Sequence, residues 1–488
     1  MTQKEMQSIL EIGTAISSEK DYNRLLEMIL NRIMELTHAD AGTLYLADGD
    51  LLRFKIMCNN TMHTCEGGDG KEPNLPPVRM SRENVCAMCY LENRTVCIEN
   101  VRTSTEYDFS GPVRYDAMTG YHTQSMLVVP MHNRQGERLG VIQLINAMDA
   151  AGNICAFPAD IIPAVESVAS QAAITIQNVL YIENIKELFE SFVRVMSSAV
   201  DERTPYNASH TRHMVEYGRH FIDYLNETAK AEGREPWFDA EHRHELLMSV
   251  WLHDIGKLVI PLEVMNKEAR LLPEQKSEIL HRFEKMRLLA QIACLKGAIS
   301  GEALEKRLEE LKQAGDTILR ANTAGFCPDD LREEICRIRE KTYTEEDGSE
   351  KPWLEEEEFQ MLMIRKGTLS EKERAVMESH VVITDKLLSE IRFSKELSHV
   401  REWAASHHEL LNGSGYPKHL MAEQIPMEVR IITILDIFDA LVADDRPYKP
   451  GMPVEKALGI LDIMADKEGK LDLELTRLFR KSRCWEKD

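Results

Sequence analysis

The chain opens on apolar residues spaced three and four apart, in MQSILEIGTAISSEKDYNRLLEMILNRIMELT, the pattern of an amphipathic helix. At AGTLYLA the spacing shifts to that of a strand. Further on, TQSMLVVPMHNRQGERLGVIQLINA reads as two strands joined by a turn from Asn133 to Gly136. That order predicts an α+β domain with an antiparallel sheet over residues 1–178. The segment VESVASQAAITIQNVLYIENIKELFESFVRVMSSAVDE keeps helical spacing without Pro or Gly, which predicts a continuous connecting helix, with residues 179–200 as the linker. Long amphipathic linkers of this kind pair with a second copy, so a parallel homodimer is expected. Residues 201–488 make up the remaining domain.

Within that domain the pieces ILHRFEKMRLLAQIACLKGA, GEALEKRLEELKQAGDTILRAN and DDLREEICRIREKT predict a helical insertion at about 268–365. Gly297, Gly315 and Pro328 are its expected turns, and the acidic run from Glu345 to Glu358 its solvated face. Because both flanks lead into candidate site residues, the insertion should emerge near the mouth of the site as a lid or docking arm.

Composition narrows the class. A net charge of -22 over 488 residues argues against a nucleic-acid groove or an anionic membrane as the main partner. No apolar run approaches the roughly 18 residues of a membrane span, and MTQKEMQSILEIG lacks a signal-peptide core, so a cytoplasmic protein is expected. Five of the ten cysteines fall between Cys58 and Cys97. Cys58, Cys65, Cys86 and Cys89 are candidates for a sensor ligand set, binding zinc or an iron-sulfur cluster, or for redox thiols; the alternative is small buried residues.

The chemistry concentrates in two strings, WLHDIGKLVIP, with His253, Asp254 and Lys257, and HHELLNGSGYP, with His407, His408, Gly415, Tyr416 and Pro417. Neutral imidazole and carboxylate together hold divalent iron, manganese or zinc, and such ions lower the pKa of a bound water toward neutrality. From Asp201 onward the ordered motifs resemble the HD-GYP family of cyclic-di-GMP phosphodiesterases: His210 in DERTPYNASH, the HDIGK string, His380 in GTLSEKERAVMESH, the HHE-NG-GYP segment, and RIITILDIFDALVADDRPYK. The resemblance implies a metal shell of His210, His253, Asp254, His380, His407, His408 and Asp436, with Asp254 bridging. It places Lys257, Arg446 and Lys449 against phosphate, while Gly415 and Pro417 shape a loop and Tyr416 stacks on a base or contacts a partner. It also implies an all-α domain over residues 201–488 and hydrolysis of cyclic di-GMP to pGpG, with further cleavage to GMP left open. Tyr206 stands where three-metal members carry glutamate, so two ions, iron or manganese, are expected. His281, in a segment that loosely imitates the one before His380, is passed over for His380. For Asp439 two readings stand side by side, a hydrogen bond that orients the helix or the surroundings of the ligands, and direct ligation; His213, His220, His242, His244 and His399 are expected to pack or face solvent.

Residues 1–178 resemble a GAF domain in VCIENVRTSTEYD, TGYHTQSMLVVPM and LGVIQLINA. Asn146 is followed by Ala147 where nucleotide-binding members carry lysine, and Phe157 and Asp160 only partly restore the pattern. A cyclic nucleotide, another small-molecule or redox ligand, or dimerisation alone stay open for this domain. For the whole chain the alternatives to a cyclic-di-GMP enzyme are a phosphodiesterase for another cyclic dinucleotide such as 3',3'-cGAMP, and a non-catalytic module binding cyclic di-GMP or a diguanylate cyclase domain.

Overall fold

The computed structural model describes residues 12–16, 18–19, 21–68, 73–133, 135–203, 209–443 and 451–486. The chain divides into two compact units, Met1–Phe189 and Glu190–Asp488.

In the first unit α1 (Tyr22–Thr37) starts where the Asp21 carboxylate accepts the amide of Arg24, and it buries Leu25, Leu26, Ile29, Leu30 and Ile33 along one face. The strands follow as β1 (Ala39–Asp48), β2 (Leu51–Asn59), β3 (Thr64–Gly67) and β4 (Val78–Arg79); after α2 (Val85–Glu92) comes β5 (Val96–Ile98). A further helix, α3 (Ser110–Thr119), leads to β6 (Met126–His132), β7 (Arg138–Met148) and β8 (Ile154–Cys155). The sheet order is β3-β2-β1-β7-β6-β5, with β4 beside β2 and β8 beside β7, and its pairings are antiparallel. The expected hairpin is β6–β7; the Asn133 carboxamide oxygen holds its turn by accepting the amides of Gln135 and Glu137.

Because side chains alternate across a sheet, one face packs Leu44, Ile142 and Leu144 against α1 and the start of α4 (Ile162–Asp201), through Val165, Val168 and Ala172. The other face packs Tyr45, Val128 and Val141 against α2. Beside that second core lies a cavity of about 510 Å³ lined by Tyr45, Met57, Tyr115, Tyr121, Gln143 and Ile145 among others.

The second unit continues with α5 (His210–Ala231), α6 (Ala240–Leu252), a 3-10 turn (Ile255–Val259) and α7 (Leu262–Met265). The inserted segment carries α8 (Pro273–Leu295), α9 (Gly301–Thr323), α10 (Asp329–Arg339), a hairpin of β9 (Thr342–Thr344) and β10 (Glu350–Pro352), and α11 (Glu356–Leu362). The chain then forms α12 (Glu371–Glu378), α13 (His380–Leu388), α14 (Val400–Ala404), α15 (Met427–Val442), α16 (Val454–Asp466) and α17 (Leu473–Ser482). Phe221, Phe438 and Phe479 centre its main core, with ring centroids 5.5 Å apart for Phe221–Phe479 and 5.1 Å for Phe438–Phe479.

The insertion has a core of its own, built on Ile279, Phe283, Leu311, Ile335 and Trp353. It departs from expectation in three ways. Gly315 sits inside α9 rather than at a turn. A β-hairpin interrupts the helices, so the insertion is mostly rather than wholly helical. The acidic run is not wholly solvated: Glu358 is buried and takes a two-pronged contact from Arg282, at 2.7 and 3.0 Å.

Candidate metal centre

The site is assembled from helix ends. His210 opens α5, His253 and Asp254 follow α6, His380 opens α13, His407 and His408 lie in the turn after α14, and Asp436 projects from α15. Backbone contacts fix the imidazoles. The Nδ1 atoms of His253, His380 and His407 lie 2.7, 2.8 and 2.7 Å from the carbonyls of Val250, Met377 and Ala404. A carbonyl only accepts, so Nδ1 carries the proton and Nε2 is left with its lone pair. For His210 the same service comes from Asp439, 2.6 Å from Nδ1. Asp439 also meets His213 Nδ1 at 3.4 Å, so His213 belongs to the surroundings of the site.

Those four Nε2 atoms and Asp254 Oδ1 are buried without a hydrogen-bond partner. Native interiors rarely leave polar atoms in that state; five converging lone-pair donors fit a cation. The ligand atoms form two groups, His210, His253 and Asp254, and His380, His407 and His408. Both carboxylates reach across them. Asp254 Oδ2 is 3.2 Å from His253 and 3.9 Å from His210, while its Oδ1 is 3.4 Å from His380 and 3.9 Å from His407. Asp436 places Oδ1 3.3 Å from His210 and Oδ2 3.6 Å from His408.

Protonation follows the same logic. Burial pushes the His380 imidazole down to about 4, pushes His407 well below its ordinary value and lowers His408, which keeps them in the neutral form a metal needs. Burial would raise Asp254, but Lys257 and His253 outweigh it and hold the carboxyl well below the usual range. Burial likewise opposes the charge on His210, yet the carboxylates of Asp436 and Asp439 beside it carry its pKa up to about 10, a proton that ion binding would displace. The Lys257 ammonium lies 2.5 Å from Asp254 Oδ2.

Local sequence explains the approach of the segments. A Cβ on Gly256 would stand 2.0 Å from the His380 carbonyl, so only glycine lets the turn meet α13. Thr384 seals that contact: it accepts the Gly256 amide at 3.0 Å and donates to the His253 carbonyl at 3.1 Å. A Cβ on Gly415 would stand 2.5 Å from the His408 carbonyl. Buried Glu409 accepts the amides of Lys418 and Leu420, pinning the loop behind Pro417, and the Tyr416 ring lies 4.8 Å from that of His408. Thr384 was absent from the sequence reading; a threonine inside an apolar helix carries no signal of its own. His281 is exposed on α8. Arg446, Lys449 and Tyr206 lie outside the described residues.

The four candidate cysteines are not gathered into one ligand group among the described residues. Cys58 and Cys65 face each other across β2 and β3 and are joined as a disulfide. Cys86 and Cys89 lie on α2 and point into the core between it and the sheet, where burial pushes the Cys86 thiol up to about 12 and raises Cys89 as well. Near the cavity, the Asn146 side chain is fully engaged: it donates to Tyr121 and the His122 carbonyl and accepts the amides of Gln124 and Ser125. Phe157 is buried in the core on the opposite face of the sheet.

Comparison with known proteins places a GAF domain at residues 21–176 and an HD domain at residues 357–475. The chain thus carries an N-terminal GAF domain followed by a mostly helical HD region. Over 101 residues it is 39% identical to the 3'3'-cGAMP-specific phosphodiesterase 3 of Vibrio cholerae, covering 21% of each chain. Over 102 residues it is 40% identical to the cyclic di-GMP phosphodiesterase response regulator RpfG of Xanthomonas campestris, covering 20% of this chain and 26% of that protein. A cyclic di-GMP phosphodiesterase of Thermotoga maritima is 33% identical over 131 residues, 25% of this chain and 35% of that one. The matched stretches therefore span about a fifth to a third of these relatives. Among solved structures, the GAF domain of an Acinetobacter phosphoenolpyruvate-protein phosphotransferase is similar to 38% of this chain over 99% of its own, at 15% identity and a TM-score of 0.29.

Proposed function

We propose that this chain is a metal-dependent phosphodiesterase of the HD-GYP type that hydrolyses cyclic di-GMP, regulated by its GAF domain. The observation that carries the reading is the set of buried, unpartnered Nε2 atoms around the Asp254 carboxylate. The donors suit two divalent ions: His210 and His253 on one side, His380, His407 and His408 on the other, with Asp254 and Asp436 each offering one oxygen to either side. The shell mixes imidazole, which suits iron, with carboxylate, which suits manganese, and accepts either ion. When bound, the ions supply Lewis acidity and an activated water.

The protein's own side chains supply the rest. Asp439 and the three backbone carbonyls hold the imidazoles in register, so little reorganisation is needed when charge develops. The Lys257 ammonium, poised on Asp254, is positioned to neutralise a non-bridging phosphoryl oxygen, with Arg446 and Lys449 as further phosphate contacts. Tyr416, held beside His408, offers a ring face to a purine.

A second reading concerns the substrate. The relatives named above include both a cyclic di-GMP and a 3'3'-cGAMP enzyme, so the two dinucleotides are tested side by side. The chain is purified anaerobically with iron or manganese, its ions are counted, and the products from each dinucleotide are separated. About two ions with pGpG formed from cyclic di-GMP is the expected result; faster turnover of 3'3'-cGAMP would move the specificity, and a metal-loaded chain inert to both would refute the enzyme reading. Asp254→Ala should lose metal and turnover together.

The cavity beside the sheet is the proposed seat of a small GAF ligand, its Tyr45 hydroxyl already donating to Gln143 at 2.9 Å. We also propose a parallel homodimer through α4 and a cytoplasmic location.

A further inference from the structure

We infer that Arg203 is a positioning residue of the metal centre, clamping the turn that carries Lys257 to the end of the connecting helix. The inference rests on the phosphodiesterase reading above. Arg203 stands just past the C-terminal end of α4, its amide bonded to the Val200 carbonyl at 3.1 Å. An arginine there would ordinarily neutralise the last carbonyls of its own helix. Its guanidinium instead donates to carbonyls 54 to 57 residues away: Nη1 to Lys257 at 2.8 Å and to Leu258, and Nη2 to Ile260 at 3.2 Å.

Those oxygens belong to the 3-10 turn Ile255–Val259 and the residue that caps it. A turn this short satisfies few of its own carbonyls, and a planar fork of donors suits three acceptors diverging from one place. Gly256 and Thr384 fix the front of the turn to α13, and Arg203 fixes its rear. Between the two anchors lies Lys257, three residues after Asp254.

A second contact leaves the same helix end. Buried Asp201 accepts the Thr211 hydroxyl at 3.0 Å, and Thr211 adjoins His210 at the start of α5. Asp201 at the end of α4 and Arg203 just past it therefore hold two segments of the site, one bearing His210 and one bearing Lys257. Misplacement of a reacting group by about 1 Å costs on the order of a hundredfold in rate, so a small shift at this helix end is felt in turnover. Arg203 itself offers every assigned donor to the backbone, not to substrate, and so acts through the turn.

The test uses the full chain as Arg203→Ala and Arg203→Lys. Bound metal, kcat and KM for cyclic di-GMP, and amide hydrogen exchange at residues 255–260 are read together. The expected result for Arg203→Ala is a kcat lowered at least about tenfold with KM and metal content little changed, and faster exchange confined to 255–260. Arg203→Lys, which keeps a cationic donor nitrogen but not the planar fork, should recover part of both losses. Unchanged kcat and exchange would overturn the inference. So would a loss accompanied by faster exchange throughout the unit and not relieved by lysine, which would mean general destabilisation. If the parent chain turns over no cyclic dinucleotide, the phosphodiesterase reading fails by itself, and local exchange in Arg203→Ala still decides the clamp.

Discussion

At the scale of single residues, the site depends on atoms that are made available by being deprived of partners. Three imidazoles spend Nδ1 on a carbonyl three residues back, a local device that any histidine just past a helical turn can use. The resulting Nε2 lone pairs are costly while unpaired, and that cost is what ion binding relieves. Gly256 is the matching backbone device. Gly256→Ala would press a methyl group to 2.0 Å from the His380 carbonyl and 2.7 Å from the Thr384 amide, and backbone on both sides leaves no flexible neighbour to yield. A loss of about 1–3 kcal/mol is expected, together with weaker metal retention. Gly301→Ala is the control: a Cβ there meets nothing within 4 Å, at the first residue of α9, so it should be neutral or stabilising by about 0.4–1 kcal/mol. Denaturant midpoints of the two variants against the parent decide the matter. An unshifted Gly256→Ala midpoint would mean that the turn and α13 can part without penalty.

At the scale of elements, what was legible from sequence is what local spacing or motif order encodes. The β6–β7 hairpin could be read because the Asn133 turn and the flanking apolar runs are contiguous. His210, His253, His380 and His407 could be named because each stands in its own short string, and the structure gathers them. Gly315, Glu358 and Arg203 could not be read correctly, since each owes its state to a distant partner or none: a helix interior that tolerates glycine, Arg282 across the insertion, and the carbonyls after Lys257. Asn146 illustrates the same limit, its side chain bonded to Tyr121, 25 residues earlier in the chain. The connecting helix keeps one local signal that its own packing does not consume. Tyr181, Ile185, Leu188, Phe192 and Val195 are each between 52% and 72% exposed, and they fall on alternating four- and three-residue steps, the seam of a coiled coil. Lys186, Glu187, Glu190 and Arg194 fall off that seam, so two copies side by side bring no like charges into it. Leu188→Glu should leave a monomer's stability within about 0.5 kcal/mol, as exposed positions do, but should shift the chain from dimer to monomer in sedimentation velocity. A parent chain that sediments as a monomer at every concentration would refute the seam.

At the scale of the whole molecule, the apolar clusters fall on either side of the division near Phe189. Those of the sheet unit draw on Ile12 through Ile176, and those of the helical unit on Met214 through Cys484. No cluster among the described residues draws on both. Cooperative unfolding follows shared cores, so the chain should melt in two calorimetric transitions rather than one. Metal then labels them. An ion that binds only the folded centre stabilises by an amount set by its concentration over Kd, about 2.7 kcal/mol at a hundredfold excess, and every candidate ligand lies in the helical unit. Adding manganese should therefore raise one transition and leave the other where it was, while a chelator should reverse the shift. Asp254→Ala identifies the mobile transition, since it should abolish the manganese response without moving the metal-independent one. A single transition that manganese moves as a whole would instead show that the two units unfold as one cooperative body.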